Sequence, residues 1–252
     1  MPHITAAILA IGDELLSGRT RDSNIHYLAG WLTERAVDLK EARIVADDEN
    51  EIAEALNHMR AKYDYVFTSG GIGPTHDDIT ADAVARALNV PVVENEDALA
   101  LIRKWYDARG EEVTAARRRM ARVPQGARLI PNKVSGAPGV RIENVFVMAG
   151  VPSIFQGMLN AVETEIERGA QIHSFAVTAA DLPESKIADQ LGEIQAALKG
   201  VSIGSYPIDG DIKGVTVIAR SENSSIGEAA IASVATAMRA LGAEPEFKDH
   251  KE

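Results

Sequence analysis

Between Ser69 and Thr80 the chain reads Ser-Gly-Gly-Ile-Gly-Pro-Thr-His-Asp-Asp-Ile-Thr, a string of residue types that hold a phosphate. Gly70, Gly71 and Gly73 carry no Cβ, so the backbone can turn sharply and a ligand can approach it closely. Successive N–H groups in such a turn form a concave nest for an anion. A helix predicted to begin near Asp78 adds the positive end of its dipole, and Thr75 adds a hydroxyl. The loop is no Walker A motif, because no Gly-Lys-Ser/Thr follows, and no dinucleotide fingerprint, because Pro74 follows Gly73. The plainer use of these glycines is a tight strand-to-helix turn. Their place at the carboxyl end of a strand favours ligand binding.

Asp77 and Asp78 come next. One of them is expected to cap the helix through the N–H groups of its first turn, and the other to hold a divalent cation such as Mg²⁺, Mn²⁺ or Co²⁺. Asp77 lies nearer the nest and is assigned the metal; Asp78 is assigned the cap. Two solvated carboxylates are the alternative. His76 reads as bystander surface. Gly12-Asp13-Glu14 ends another strand, and Glu14 could reach a ligand or the metal, or close a turn with Ser17 and Gly18. Asn24 could bond a ligand base or help cap a helix. Lys133 stands beside Asn132 and before the turn Gly136-Ala137-Pro138-Gly139, placed to stabilise charge on a diphosphate. Arg117-Arg118-Arg119 with Arg122 form the densest basic cluster. They are either a solvated face paired with acids such as Glu111 and Glu112, or the source of one arginine for the phosphate site.

Positioning these residues falls to an α/β domain. Ala6–Ile11 is a continuous apolar run that ends at Gly12, the pattern of a strand buried on both faces. Ile25, Leu28, Ala29 and Leu32 follow at helical spacing behind Asp22 or Ser23 as cap. Asp38–Ala46 and Tyr65–Thr68 read as strands, Ile52 to Met59 and Asp78 to Leu88 as helices. This alternation specifies a parallel sheet with helices on both faces, a three-layer arrangement whose loops after the first and third strands share one edge. Two further helices are expected over Asn95–Arg109 and Glu112–Arg122. Arg141–Met148 is β-rich with a tight turn at Glu143-Asn144, and Pro152 opens a helix. A boundary falls near Gly169-Ala170, giving a domain over 1–169. Residues 170–252 form a second, smaller α+β domain of ~80 residues. It has a strand over Ile172–Thr178, a helix marked by Ile187 to Leu198 and a last helix marked by Ile231 to Leu241. Between the helices, Val201–Tyr206 and Gly214–Arg220 form a hairpin with its loop at Asp209-Gly210-Asp211. Trp31 and Trp105 read as core edge or subunit contact.

The 252 residues carry a formal net charge of −11 and no cysteine. The acidity argues against nucleic acid and anionic membranes as partners. The lack of cysteine excludes disulfides, thiolate catalysis and cysteine-based zinc sites. Neither a signal peptide nor an apolar run of ~20 residues is apparent, so a cytoplasmic protein is expected.

Ile11-Gly12-Asp13-Glu14-Leu15-Leu16, Ser23-Asn24 and the string from Thr68 to Thr80 resemble the N-terminal domain of competence/damage-inducible protein A (CinA). Pro131-Asn132, Gly136-Ala137-Pro138-Gly139 and Gly150-Val151-Pro152 extend the match. The resemblance implies the molybdopterin-binding fold of MogA, MoaB and MoeA, and the second domain is similar to the one that follows in CinA-type proteins. Full-length CinA proteins also carry an amidase domain that has no counterpart in these residues. Adenylating MogA relatives typically have threonine where Ile72 stands, which counts against molybdopterin adenylation. The resemblance implies one of two ligands: molybdopterin, or an adenine diphosphate compound such as ADP-ribose hydrolysed with a divalent metal. The expected ligand contacts are Gly12, Glu14, Asn24, Ser69, Gly70, Gly71, Ile72, Gly73, Thr75 and Asn132. Asp77, Asp78 and Glu14 are the expected metal ligands, and Asp77, Asp78 and Lys133 the expected catalytic residues. A homo-oligomer, with a dimer favoured, is expected from relatives of the fold, with Trp31 and the Arg117–Arg122 segment at the contact.

Overall fold

The apolar run of the first strand extends over Ile4–Ile11 (β1), where only Thr5 escapes full burial. The computed structural model describes residues 3–208 and 214–248, and the chain divides into two compact units between Gly169 and Ala170.

In the first unit β1 leads through a short helix, α1 (Asp13–Leu16), to α2 (Asn24–Thr33), β2 (Val37–Val45), α3 (Glu49–Lys62), β3 (Tyr65–Ser69) and α4 (Thr80–Ala87). Then follow β4 (Val92–Glu94), α5 (Glu96–Asp107), α6 (Ala115–Arg119), β5 (Arg122–Pro124), β6 (Arg128–Ile130), β7 (Gly139–Ile142), β8 (Val145–Met148) and α7 (Pro152–Ala161). The main sheet has the order β2-β1-β3-β8-β7-β6. β2, β1, β3 and β8 run parallel, whereas β7 and β6 join antiparallel. The sheet is therefore mixed where the alternation of elements specified a parallel one. The cause is local: Glu143 takes a left-handed φ of 51° and reverses the chain between β7 and β8 without room for a crossover.

Two apolar clusters cover the two faces. Leu28, Trp31 and Leu32 of α2 join Phe155, Met158 and Leu159 of α7 on one. Ile52, Leu56 and Met59 of α3 join Ala83 and Val84 of α4 on the other. Phe67 and Phe146 stack at 5.0 Å between ring centroids in the first cluster. Trp31 is only 5% exposed, with the Arg35 guanidinium 3.8 Å above its ring. It is a core residue.

Capping follows the residue types. Asp48 accepts from the N–H groups of Asn50 and Glu51 at the start of α3, and Asp22 accepts from Ile25 N–H at the start of α2. The helix expected over Glu112–Arg122 is cut down to α6. Pro124 disfavours helical backbone before it, and Arg122–Pro124 pairs instead with Val92–Glu94 as an antiparallel ladder.

The second unit runs β9 (His173–Ala180), α8 (Glu184–Ala197), β10 (Val201–Ile208), β11 (Gly214–Ser221), α9 (Ser224–Ala240) and β12 (Pro245–Lys248). Its antiparallel sheet has the order β10-β11-β9-β12, the split β-α-β plan. Ile187 and Leu191 of α8 and Ile231, Val234 and Met238 of α9 supply its core with Val177, Val215 and Val217. The turn expected at Asp209-Gly210-Asp211 lies outside the described residues. Among the described residues no helix is long and apolar enough to cross a membrane.

Candidate functional site

Four parallel strands deliver the loops after β1, β2, β3 and β8 to one edge, and these loops interlock. Gly70 N–H donates to Met148 O at 3.1 Å, and Gly12 N–H to Val45 O at 3.1 Å. A Cβ on Gly70, whose φ is +114°, would run into the carbonyl oxygen of Ile11, so glycine is required there.

The glycine loop is braced from its far end. Thr80 N–H donates to Gly71 O at 3.0 Å, and the buried Thr80 hydroxyl donates to Gly70 O at 2.9 Å. Asp78 accepts from the N–H and the hydroxyl of Thr75, at 2.7 and 2.5 Å. The expected cap at Asp78 is thus corrected: α4 starts at Thr80 with Ile79 as its N-cap and no side-chain cap. The reason is that Asp78 is turned back into the loop, its Oδ2 lying 2.6 Å from where a Gly73 Cβ would sit. Among the described residues, the N–H groups of Gly71, Ile72 and Gly73 donate to no acceptor within the chain.

Asn24 is buried, and its amide donates to Ser69 Oγ at 2.8 Å and Gly150 O at 2.7 Å, clasping the loops after β3 and β8. Both hydrogens are thereby used, and Ser69 is itself buried. The Asn24 Oδ1 is buried and, among the described residues, has no hydrogen-bond partner.

On the β1 and β2 side the edge is acidic. Asp13 N–H donates to Asp47 Oδ2 at 2.9 Å. Burial pushes the Asp47 carboxyl above its ordinary value, the Asp13 N–H opposes this, and the charges of Asp13, Glu14 and Asp77 add to the rise. Glu14 folds back over Gly12, its oxygens 2.5 and 2.6 Å from the position of an absent Cβ. Glu14 and Asp77, predicted together from distant segments, thus share an electrostatic neighbourhood. Asp13 and Asp47 belong to it as well and were missed. Asp47 lies one residue beyond a predicted strand, and only the parallel pairing of β1 with β2 brings it here. Among the described residues no group of three or more His, Cys, Asp or Glu is arranged to hold a metal ion.

On the other side Gly71, Ile72, Gly73 and Asp78 border a cleft open to solvent, which Arg119, Arg122 and Pro138-Gly139 also line. The basic cluster divides accordingly. Arg117 pairs with Glu111, Arg118 with Glu94 at 2.5 Å and Arg122 with Asp82 at 2.6 Å, while Arg119 faces the cleft. Lys133 is exposed and does not border it. Asn132 is spent on its own loop. Its Oδ1 accepts from the N–H groups of Val134 and Ser135 and its amide donates to Ser135 Oγ and Ala137 O. That side chain has no donor left for a ligand.

Residues 7–168 match the family model described as the probable molybdopterin-binding domain. The chain belongs to that family. Residues 173–245 match the middle domain of FAD synthase. A protein of Pyrobaculum calidifontis is 36% identical over 211 residues, 81% of this chain and 80% of its own length. A CinA-like protein of Desulfosudis oleivorans is 33% identical over 210 residues, 79% of this chain, and the match spans about half (51%) of its length. The solved CinA of Thermoplasma acidophilum is 33% identical, with a TM-score of 0.60 over 65% of this chain and 98% of that one. The resemblance to CinA drawn from the glycine-loop string therefore holds at the level of family and fold.

Proposed function

We propose that the first unit binds a phosphorylated small molecule in the cleft at Gly71–Gly73 and hydrolyses a nucleoside-diphosphate compound such as ADP-ribose with a divalent metal. The observation that carries this reading is the row of backbone N–H groups at Gly71, Ile72 and Gly73, which find no acceptor in the chain and border the cleft. Free backbone donors at the edge of an open cleft are available to a ligand, and a phosphate oxygen is the acceptor that a glycine nest suits. The other end of the loop, at Asp77, stands within electrostatic reach of Asp47, whose carboxyl also feels the charges of Asp13 and Glu14. Such a loop offers donors to a phosphate at one end and carboxylate oxygens to a hard cation at the other.

The carboxylates do not form a complete metal cage, and Mg²⁺ does not demand one. It is commonly bound through one or two carboxylates together with substrate phosphates and water. Asp77 and Glu14 would hold the cation, which when bound lowers the pKa of its water and neutralises phosphate charge. The chain's own part is to seat the phosphate on the nest and keep it oriented.

Incubation of ADP-ribose with Mg²⁺, Mn²⁺ or Co²⁺ is expected to release AMP. Asp77→Asn is expected to fold normally and lose metal-dependent turnover by about a hundredfold or more, because a neutral amide is a poor ligand for a hard cation. Full activity of both Asp77→Asn and Asp78→Asn across a metal titration would show that neither carboxylate serves the chemistry. A second reading, molybdopterin binding without hydrolysis, is favoured by the family match over residues 7–168. Calorimetry against molybdopterin and ADP-ribose separates the two, and binding of the pterin alone reverses the order. Cytoplasmic residence and a homodimer belong to the same proposal. Light scattering should return twice the 27.0 kDa of one chain.

A further inference from the structure

Four arginines lie within six residues, Arg117, Arg118, Arg119 and Arg122, and three have anionic partners. Arg117 bonds the Glu111 carboxylate and Glu112 O and stacks 3.8 Å above Tyr106. Arg118 grips both oxygens of Glu94, at 2.5 and 2.6 Å. Arg122 holds Asp82 at 2.6 Å. Arg119 differs. Among the described residues it has no carboxylate at ion-pair distance, and its Nε is buried with no hydrogen-bond partner. It also lines the same cleft as Gly71 and Gly73.

Helical phase explains how three consecutive arginines come to such different ends. Successive residues of α6 point about 100° apart, so Arg117, Arg118 and Arg119 cannot share a face. Glu111 precedes the helix and Glu94 lies on the strand paired with β5; they take the first two. The third is turned toward the cleft. A buried guanidinium donor without an acceptor is unfavourable, and an arginine left so beside a nest of free N–H groups is supplied for a ligand anion.

We infer that Arg119 is the cation that receives the ligand's phosphate in this cleft, which the Gly71–Gly73 nest also lines. The inference rests on the reading that this cleft binds a phosphorylated ligand. The guanidinium fork matches two oxygens of one phosphate group, which a lysine ammonium does not. Arg122 is already neutralised by Asp82, and Asp78, the other carboxylate on the cleft, is occupied by Thr75. The ligand class is accordingly a diphosphate or a phosphate monoester carrying two or more negative charges, and a neutral nucleoside would gain nothing from Arg119.

The test is calorimetry of the full chain with pyrophosphate, ADP-ribose and adenosine, using wild type, Arg119→Met, Arg119→Lys and the neighbouring control Arg118→Met. Arg119→Met keeps the length and packing of the stem and removes the charge. It is expected to weaken pyrophosphate and ADP-ribose about tenfold to a hundredfold and to leave any adenosine binding unchanged. Arg118→Met is expected to bind all three as wild type does. Arg119→Lys is expected to lose several-fold, since it keeps the charge and gives up the fork. It decides the matter if the methionine variant does not fold. In the absence of ligand Arg119→Met should melt no lower than wild type, because it removes an unanswered buried donor. Wild-type affinity for pyrophosphate in a folded Arg119→Met or Arg119→Lys overturns the assignment of Arg119 and leaves the cleft standing. A wild-type protein that binds neither pyrophosphate nor ADP-ribose overturns both.

Discussion

Two loops of the first unit look alike in sequence and do opposite things. The loop 70–79 and the loop 131–138 both combine glycine, proline and a short polar side chain, and both were read as contributors to the site. In 131–138 the polar groups answer one another. Asn132 alone takes up two backbone N–H groups, a hydroxyl and a carbonyl. In 70–79 the side chains of Thr75, Asp78 and Thr80 brace the ends, and the N–H groups between them are left free. A loop that consumes its own donors is scaffold, and one that is held open by its rims has donors to give. Residue type does not distinguish the two; hydrogen-bond accounting does.

The comparison can be broken most sharply at Gly70. Gly70→Ala forces a side chain into left-handed backbone and against the Ile11 carbonyl. It should cost roughly 3 kcal/mol in urea denaturation and abolish phosphate binding with it. Asn132→Ala should cost about 2 kcal/mol by the same measurement, since buried partners are left unanswered. Its folded fraction should bind pyrophosphate with no more than about a threefold loss. A larger loss would place 131–138 among the ligand contacts after all. Thr80→Val removes the single bond to Gly70 O and should cost about 1 kcal/mol, while affinity for phosphate falls because the rim no longer holds the nest open.

The smallest effect belongs to a region neither loop touches. Glu41 on β2 accepts from Tyr63 Oη at 2.6 Å, and that bond, with Arg43 and Lys62, holds its carboxyl down at about 2 from 4.5. A carboxyl depressed on folding stabilises the native state above its unfolded value. Its contribution should therefore be intact above pH 4.5 and be lost as pH falls toward 2. Melting temperatures across that window should fall less steeply for Glu41→Gln than for wild type, with ligand affinity at neutral pH unchanged. Equal slopes would remove the Tyr63 bond as the cause.

How far the sequence could be read depended on the range of the interactions involved. The run of β1 is buried on both faces and so nearly free of polar residues, and β3 is fully buried with apolar residues at its centre, which made both legible, and the glycines between β3 and α4 marked a turn. The start of α4 was misplaced by two residues because Asp78 is as good a loop brace as a cap. The helix expected over Glu112–Arg122 failed because β5 is created by pairing with β4, across 30 residues from Val93 to its partner Val123, counted by difference from the register. Asp47 and Arg119 were invisible as individuals. One lies just past a strand among other acids, and the other stands in a row of identical side chains.

The sequence by itself determined the alternation of strands and helices, the position of the nest and the presence of carboxylates beside it. Each of these rests on local sterics, periodicity or chain order. The tertiary structure alone decided which donors stay free and which of four arginines has no anionic partner. It also decided that Asp47 joins Asp13, Glu14 and Asp77, and that Asn24 and Asn132 are fasteners. Except for Asn132 and Arg117, whose partners lie within six residues, those outcomes depend on partners 24 to 126 residues away. No local rule can assign a hydrogen bond whose acceptor arrives only when the sheet has formed.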